Sequence, residues 1–381
     1  MFNFVFQNTT KLVFGRGQIA QLSSLIPTDK KVLITFGGGS VKRNGVYDQV
    51  KKALAGHNVV EFWGIEPNPA VETLRKAVKL GLEEKVDMLL AVGGGSVLDG
   101  TKLIAAAIAQ PNLDAWDIVK SGSAIKQIPF ASVMTLPATG SEMNNGAVIS
   151  CHETKEKFSF RGDYPEFSIL DPETTYSLPA HQIACSLADI VVHCFEQYMT
   201  TTGQSRVLDR WAEGVIATAM EIAPKIQADQ HNYDLMCDYM YSATMALNNF
   251  IRMGVTQDWS THQIGHELTA LCGVTHGESL AIVYPGTIDV LREQKKGKLL
   301  QFGSRVLGIN EGTEEERIDK VIEKIEAFFK SLGLATRLSE KKIGVDVVEE
   351  IARRFNERNV HLGEAQNVTG DVAREILMKR L

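Results

Sequence analysis

Residues 88–99 read Met-Leu-Leu-Ala-Val-Gly-Gly-Gly-Ser-Val-Leu-Asp, and this stretch decides the fold. Met88 to Val92 is a short apolar run of strand length; three glycines follow, and the residues after Ser96 resume with helical spacing. The same order occurs upstream, where Lys31 to Phe36 carries Val32, Leu33 and Ile34 and ends at Gly37, Gly38, Gly39 and Ser40. Between the two lie a helical stretch around Val46 to Leu54, a strand near Asn58 to Trp63 and a helix over Val71 to Leu82 with Leu74, Ala77, Val78 and Leu82 on one face. Strands alternating with helices in this way predict βαβ units and a mainly parallel sheet. Phe2, Phe4 and Phe6 alternate with polar or smaller residues, which predicts a half-buried strand at the start of the chain.

Near Asp171 to Ala180, Pro172 and Pro179 bracket a short connection, and beyond it helical periodicity dominates. Thr313 and Glu316 have the spacing of a capping box, and Ile318, Val321, Ile322, Ile325, Phe328 and Phe329 then form one apolar helix face. The expectation is an α/β domain over 1–178 and an all-helical domain over 179–381, with ligands at the cleft between them.

Composition narrows the function. At 381 residues the chain buries a large core without disulfides, and 40 Lys+Arg against 46 Asp+Glu leave a net charge of −6, which argues against nucleic acid as a partner. No apolar run reaches the ~18 to 20 residues of a membrane span, and Met1 to Phe6 lacks the basic region of a signal peptide. Five widely spaced cysteines without a C-x-x-C fit reduced thiols. The expectation is a cytoplasmic protein with neither a membrane nor a nucleic-acid partner.

The two Gly-Gly-Gly-Ser turns bring backbone N–H groups and a helix start to a strand's end, where a phosphate is bound. Each turn alone equally fits a tight connection; two in consecutive units favour a dinucleotide. No acid stands near Gly37 to Ser40 to take a ribose hydroxyl, while Ser40, Lys42 and Arg43 suit a 2′-phosphate, which favours NADP(H) over NAD(H). Lys42 and Arg43 equally fit a solvated helix start. Asp99 falls in the first turn of its helix, where capping alone accounts for it and where the glycine loop also delivers it to a cofactor. Thr135 to Ser141 follows the strand Ala131 to Met134 as a polar turn or a cleft-lining loop.

Asp189 and His193 lie four apart in the helical stretch Gln182 to Tyr198, and His262 and His266 repeat that spacing in Trp259 to Ala270. His276 follows beyond Gly273, so two short windows hold four of the chain's nine histidines. One carboxylate with several imidazoles suits Fe2+ or Zn2+. Asp189 and His193 by themselves also fit a surface ion pair, and spacing does not say which three of the four histidines ligate. His266-Glu267 matches the start of the H-E-x-x-H protease motif, but Ala270 breaks it.

Gly93 to Asp99, Thr135 to Glu142, Asp189-x3-His193 and His262-x3-His266-x9-His276 together resemble the iron-containing, group III alcohol dehydrogenases, over essentially the whole chain. The Gly37 to Ser40 turn and Glu66-Pro67-Asn68-Pro69 fit the branch of NADPH-dependent aldehyde reductases and butanol dehydrogenases. The resemblance implies a Rossmann-like α/β domain plus an all-α C-terminal domain, the scaffold shared with dehydroquinate synthase. It implies metal ligands Asp189, His193, His262 and His276, with His266 close by but not ligating; because imidazole titrates near neutrality, His266 is the candidate proton relay. Its cofactor contacts are Gly37, Gly38, Gly39, Ser40, Asn68, Gly93, Gly94, Gly95, Ser96, Asp99, Thr135, Thr139 and Lys157, the last on a stretch that matches the branch loosely. It also implies a homodimer, often through the N-terminal strands.

The expected activity is reversible hydride transfer between NAD(P)H and a small aldehyde or primary alcohol. The alternative on this scaffold is a dehydroquinate synthase-like lyase using NAD and zinc, whose phosphorylated substrate needs a basic cluster. Around the candidate ligands stand Phe195, Met199, Met253, Trp259, Leu268 and Leu271, with Arg252 the only nearby base, which favours a small, fairly apolar aldehyde. A binding protein of this fold without turnover is the non-enzymatic alternative.

Overall fold

A computed structural model describes residues 1–124 and 126–381. The chain divides into two compact units, one of Gln7–Leu178 with Gln230–Thr244 and one of Met1–Phe6, Pro179–Asp229 and Met245–Leu381.

The first unit is built on a six-stranded sheet of β1 (Lys11–Phe14), β2 (Lys31–Phe36), β3 (Asn58–Phe62), β4 (Met88–Gly94), β5 (Phe130–Leu136) and β8 (Phe167–Leu170), in the order β1-β8-β5-β4-β2-β3. Every pairing in it is parallel. The strands read as unbroken apolar runs because both faces are covered. Val32, Ile34 and Phe36 pack into one core with Leu90, Val92 and Ile169, while Leu33 enters the opposite core with Leu89, Ala91 and Phe130. Burying each such side chain contributes about 1.5–3 kcal/mol. A hairpin, β6 (Gly146–Cys151) against β7 (Glu156–Arg161), supplies Ala147, Ile149 and Phe160 to this second core.

The helix Tyr233–Ala246 belongs largely to this unit although it follows Pro179–Asp229 of the other. Met240 joins the second core, the Tyr239 hydroxyl donates to the Pro137 carbonyl at 3.3 Å, and the Thr244 hydroxyl donates to Glu142 at 2.5 Å. The Gln230 amide ties the segment's start to the carbonyls of Thr175, Tyr176 and Leu178.

In the second unit the named elements are helices, with an isolated bridge between Leu362 and Val368 among the described residues. The capping box forms: Thr313 Oγ1 accepts the Glu316 N–H at 3.3 Å, and a Glu316 carboxylate oxygen accepts the Thr313 N–H at 2.8 Å. Ile318, Val321, Ile325, Phe328 and Phe329 of the helix Glu314–Ser331 are buried, and Ile322 is half-buried.

One sequence expectation fails. Phe2, Phe4 and Phe6 form no strand, because alternation makes a strand only where a partner supplies the ladder, and the described residues offer Phe2 just one main-chain bond, to the Gly254 carbonyl at 2.7 Å. Phe6 turns its ring edge-on to Phe250, while Phe2 and Phe4 are 61% and 49% exposed.

Candidate metal and dinucleotide sites

The helix Ala180–Tyr198 is buried on every side from Ile183 to Tyr198, so Asp189 and His193, one turn apart, sit in the helical unit's interior rather than on its surface. The helix Ser260–Cys272 carries His262 and His266 on one face. Its start is fixed by Asp258, whose carboxylate accepts the Ser260 N–H at 2.8 Å, and by Trp259, a non-glycine residue at φ 68°. It stops at Gly273, also at φ 68°, where the left-handed conformation lets the chain reverse. His276 then opens the helix His276–Val290, and its ring returns to 5.4 Å from that of His262.

These elements converge on one carboxylate oxygen. Asp189 Oδ1 lies 3.3 Å from His193 Nδ1 and 3.6 Å from Nε2 of both His262 and His276. The ligand atoms of Asp189, His262 and His276 all fall within 4.8 Å of one another. His193 joins through its contact with Asp189 and by stacking on His262, with centroids 4.5 Å apart and planes at 24°. Asp189, His193 and His262 are at most 5% exposed, yet Asp189 Oδ1, His193 Nδ1 and His262 Nε2 make no hydrogen bond. Buried polar atoms left in that state are costly unless a further group satisfies them. A divalent cation fits, since carboxylate oxygen and imidazole nitrogen are donors that Fe2+ and Zn2+ accept. His266 stands beside the group, with its ring 5.3 Å from His276 and 6.4 Å from His262.

The two stacked imidazoles diverge electrostatically. Burial pulls His193 down to about 4. Burial also pulls on His262, but the Glu196 and Asp189 carboxylates outweigh it and the imidazole rises to about 9. Two cationic rings at stacking distance repel, so one charges in preference to the other.

In the α/β unit the strand order reverses direction at β2 and β4, and both Gly-Gly-Gly-Ser turns lie at the ends of these two strands. Ligands of open parallel sheets bind at that switch point. The two turns use their glycines differently. A side chain on Gly95 would meet Thr139 Oγ1 at 2.4 Å, so this glycine lets the β4 and β5 loops close on each other. A side chain on Gly38 would meet nothing within 4 Å.

Asn68, Ser96 and Lys157 come together. The Asn68 N–H donates to Ser96 Oγ at 3.3 Å, and the Lys157 ammonium donates to Asn68 Oδ1 at 2.9 Å. Thr139 reaches the group through Gly95, and Thr135 is buried near the end of β5. Asp99 is buried with both oxygens committed, one to the Ser141 hydroxyl at 2.7 Å and one to the Val148 N–H at 2.8 Å. Lys42 places its ammonium over the Trp63 ring, 4.0 Å from the centroid. Glu61, on the adjoining strand β3, is held by Tyr47, Lys51 and Trp63.

Two buried charged residues escaped the sequence reading. Lys102 donates to Ser141 and Asn144, through carbonyl and side-chain oxygens of each, and to the Gly146 carbonyl, all between 2.7 and 3.2 Å. It thereby pins the loop that follows β5. Glu196 contacts His262 Nδ1. Lys102 stands three residues after Asp99, and Glu196 three after His193, so helical spacing from an already recognised residue was the available signal.

Comparison with known proteins covers both parts of the chain. The family model for the iron-containing alcohol dehydrogenase matches residues 9–172, and that for the C-terminal part of the same family matches residues 183–381. The NADPH-dependent aldehyde reductase YqhD of Escherichia coli K12 is 49% identical over 382 residues, covering 99% of each chain. A probable NADH-dependent butanol dehydrogenase 1 of Bacillus subtilis is 42% identical, covering 92% of this chain and 93% of its own. A crystal structure of E. coli K-12 YqhD superposes with a TM-score of 0.98 at 47% identity, covering 100% of this chain and 99% of the other. These relatives are oxidoreductases, and nothing in them favours the lyase. With both parts of the chain matched and near-half identity along its length, the protein belongs to the iron-containing alcohol dehydrogenase family.

Proposed function

We propose that this dehydrogenase reduces small aldehydes to primary alcohols with NADPH, holding one divalent ion, Fe2+ or Zn2+, on Asp189, His193, His262 and His276. The carrying observation is the Asp189 carboxylate oxygen, buried, without a hydrogen bond, and faced by three imidazole nitrogens at 3.3–3.6 Å. An ion held there supplies Lewis-acid polarisation of the substrate oxygen, and the nicotinamide supplies the hydride. The chain's own residues do the rest. Gly37 to Ser40, Gly93 to Ser96, Thr135 and Thr139 seat the dinucleotide, and Asn68 and Lys157 fix each other beside Ser96. Reduction consumes one proton, and His266, beside the ligands, is the candidate to deliver it.

The choice of NADPH is supported by Ser40, Lys42 and Arg43 after β2, and by Glu61 being already engaged by Tyr47, Lys51 and Trp63. The B. subtilis relative is named for NADH, so membership of the family does not by itself set the cofactor. A homodimer fits the exposure of Phe2, Phe4 and Val5. Five free cysteines suit a reducing compartment such as the cytoplasm, and no helix among the described residues is long and apolar enough to cross a membrane.

The test is the initial rate of NADPH oxidation with butanal, on the protein as purified, after chelation, and after adding back Fe2+ or Zn2+. Activity lost to the chelator and restored by one ion supports the reading. Absence of turnover with either ion and either cofactor overturns it.

A further inference from the structure

We infer that Glu196 positions His262 for the metal, holding the imidazole proton on Nδ1 so that the Nε2 lone pair faces the ion. This rests on the ligand set proposed above.

Glu196 is 2% exposed and spends its whole side chain on the start of the second ligand helix. One carboxylate oxygen accepts the Thr261 N–H at 2.7 Å; the other accepts the His262 N–H at 3.2 Å and contacts His262 Nδ1. The Glu196 carbonyl accepts the Asp258 N–H at 2.9 Å, just ahead of that helix. One residue on the helix bearing Asp189 and His193 thus grips residues 258–262 through main chain and side chain alike. Its negative charge also lies at the N-terminus of the 13-residue helix Ser260–Cys272, where the dipole favours it.

The tautomer follows from donor and acceptor counting. The Glu196 oxygen that faces Nδ1 also accepts the His262 main-chain N–H, so it is placed as an acceptor and Nδ1 as the donor. Ligation needs one ring nitrogen without a hydrogen, and with Nδ1 committed to Glu196 that nitrogen is Nε2, the atom aimed at Asp189 Oδ1, 3.6 Å away, with no hydrogen bond of its own. Stacking on His193 fixes the ring's plane from the side. Ligating histidines that donate their other N–H to a carboxylate gain both orientation and basicity.

Glu196→Gln preserves shape but reverses this sense. Its amide nitrogen, turned to Nδ1, donates, which drives the imidazole proton to Nε2. Wild type, E196Q and H262A are stripped, titrated with Co2+ and Zn2+, and followed by Co2+ visible absorption and by the rate of ion release to a chelator. Thermal midpoints of the metal-free proteins are measured alongside. The expected result is about 10- to 100-fold weaker binding in E196Q and an altered Co2+ spectrum, with the metal-free midpoint lowered by loss of the main-chain hydrogen bond that the amide nitrogen cannot accept. Wild-type affinity and spectrum in E196Q overturn the inference. Wild-type affinity in H262A instead overturns the ligand set. Should E196Q fail to fold, 15N spectra of the Zn2+-loaded wild type decide: a hydrogen on His262 Nδ1 supports the inference, and one on Nε2 overturns it.

Discussion

Lys157 donates its ammonium to the side-chain oxygen of Asn68 at 2.9 Å, across 89 residues of chain, and the Asn68 main-chain N–H donates to Ser96 Oγ at 3.3 Å. This joins the hairpin strand β7 to the loop after β3. A charge-assisted hydrogen bond of this kind contributes about 1.5–3 kcal/mol. Lys157→Met is expected to weaken NADPH binding by roughly tenfold or more, measured by fluorescence titration, while metal content stays at the wild-type level. Unchanged NADPH affinity removes Lys157 from the cofactor site.

Gly38 and Gly95 separate binding from packing. Gly38→Ala meets no atom within 4 Å, so its thermal midpoint should match wild type while the KM for NADPH rises. Gly95→Ala forces a methyl to 2.4 Å from Thr139 Oγ1, an overpacking that costs about 1–3 kcal/mol. That variant should lose stability as well as affinity. If Gly38→Ala binds NADPH like wild type, the nucleotide does not use the first turn.

Lys102 makes the stability of the α/β unit depend on alkaline pH. Burial outweighs the Asp99 and Glu142 carboxylates and holds the ammonium at about 8, below the usual 10.5. Below pH 8 both folded and unfolded chains carry the proton, so the penalty is present in full. Between 8 and 10.5 the unfolded chain binds it more tightly, so stability from this group rises with pH, by at most about 1.4 kcal/mol per unit. Urea unfolding from pH 7 to pH 10 should show this rise in wild type relative to Lys102→Met. Parallel curves refute it.

Removing the ion exposes the orphaned donors. At a concentration a hundred times its dissociation constant, a bound ion stabilises by about 2.7 kcal/mol. Chelation should lower the thermal midpoint of the protein, and Zn2+ should restore it. His262→Ala should respond to neither, as read by differential scanning calorimetry.

Much of the fold was legible because the strands that matter are buried on both faces. Lys31–Phe36 and Met88–Gly94 announce themselves as apolar runs ending in glycine. The helices that carry the candidate ligands were legible for a different reason: pairs four apart, Asp189 with His193 and His262 with His266, survive any packing. The hairpin β6–β7 was not, because Lys155, at φ 52°, supports its turn without glycine to mark it. Lys102 reads as a surface charge until Ser141, Asn144 and Gly146 fold back around it. Glu196 could be suspected from its place three residues after His193, but its partner His262 lies 66 positions away, and spacing does not name a partner at that distance. The phenylalanines at the N-terminus show the converse: alternation describes what a segment can pair with, and pairing needs a second strand.

The helix that returns to the sheet after residue 230 also sets a timetable for synthesis. Domains tend to fold as units in the order they leave the ribosome. The α/β unit, first to be translated, waits for Met240 to complete its core and for Thr244 to reach Glu142. By then Asp189, His193 and Glu196 have already emerged, while His262 has not. The nascent chain therefore closes its α/β unit before all four proposed metal ligands have emerged.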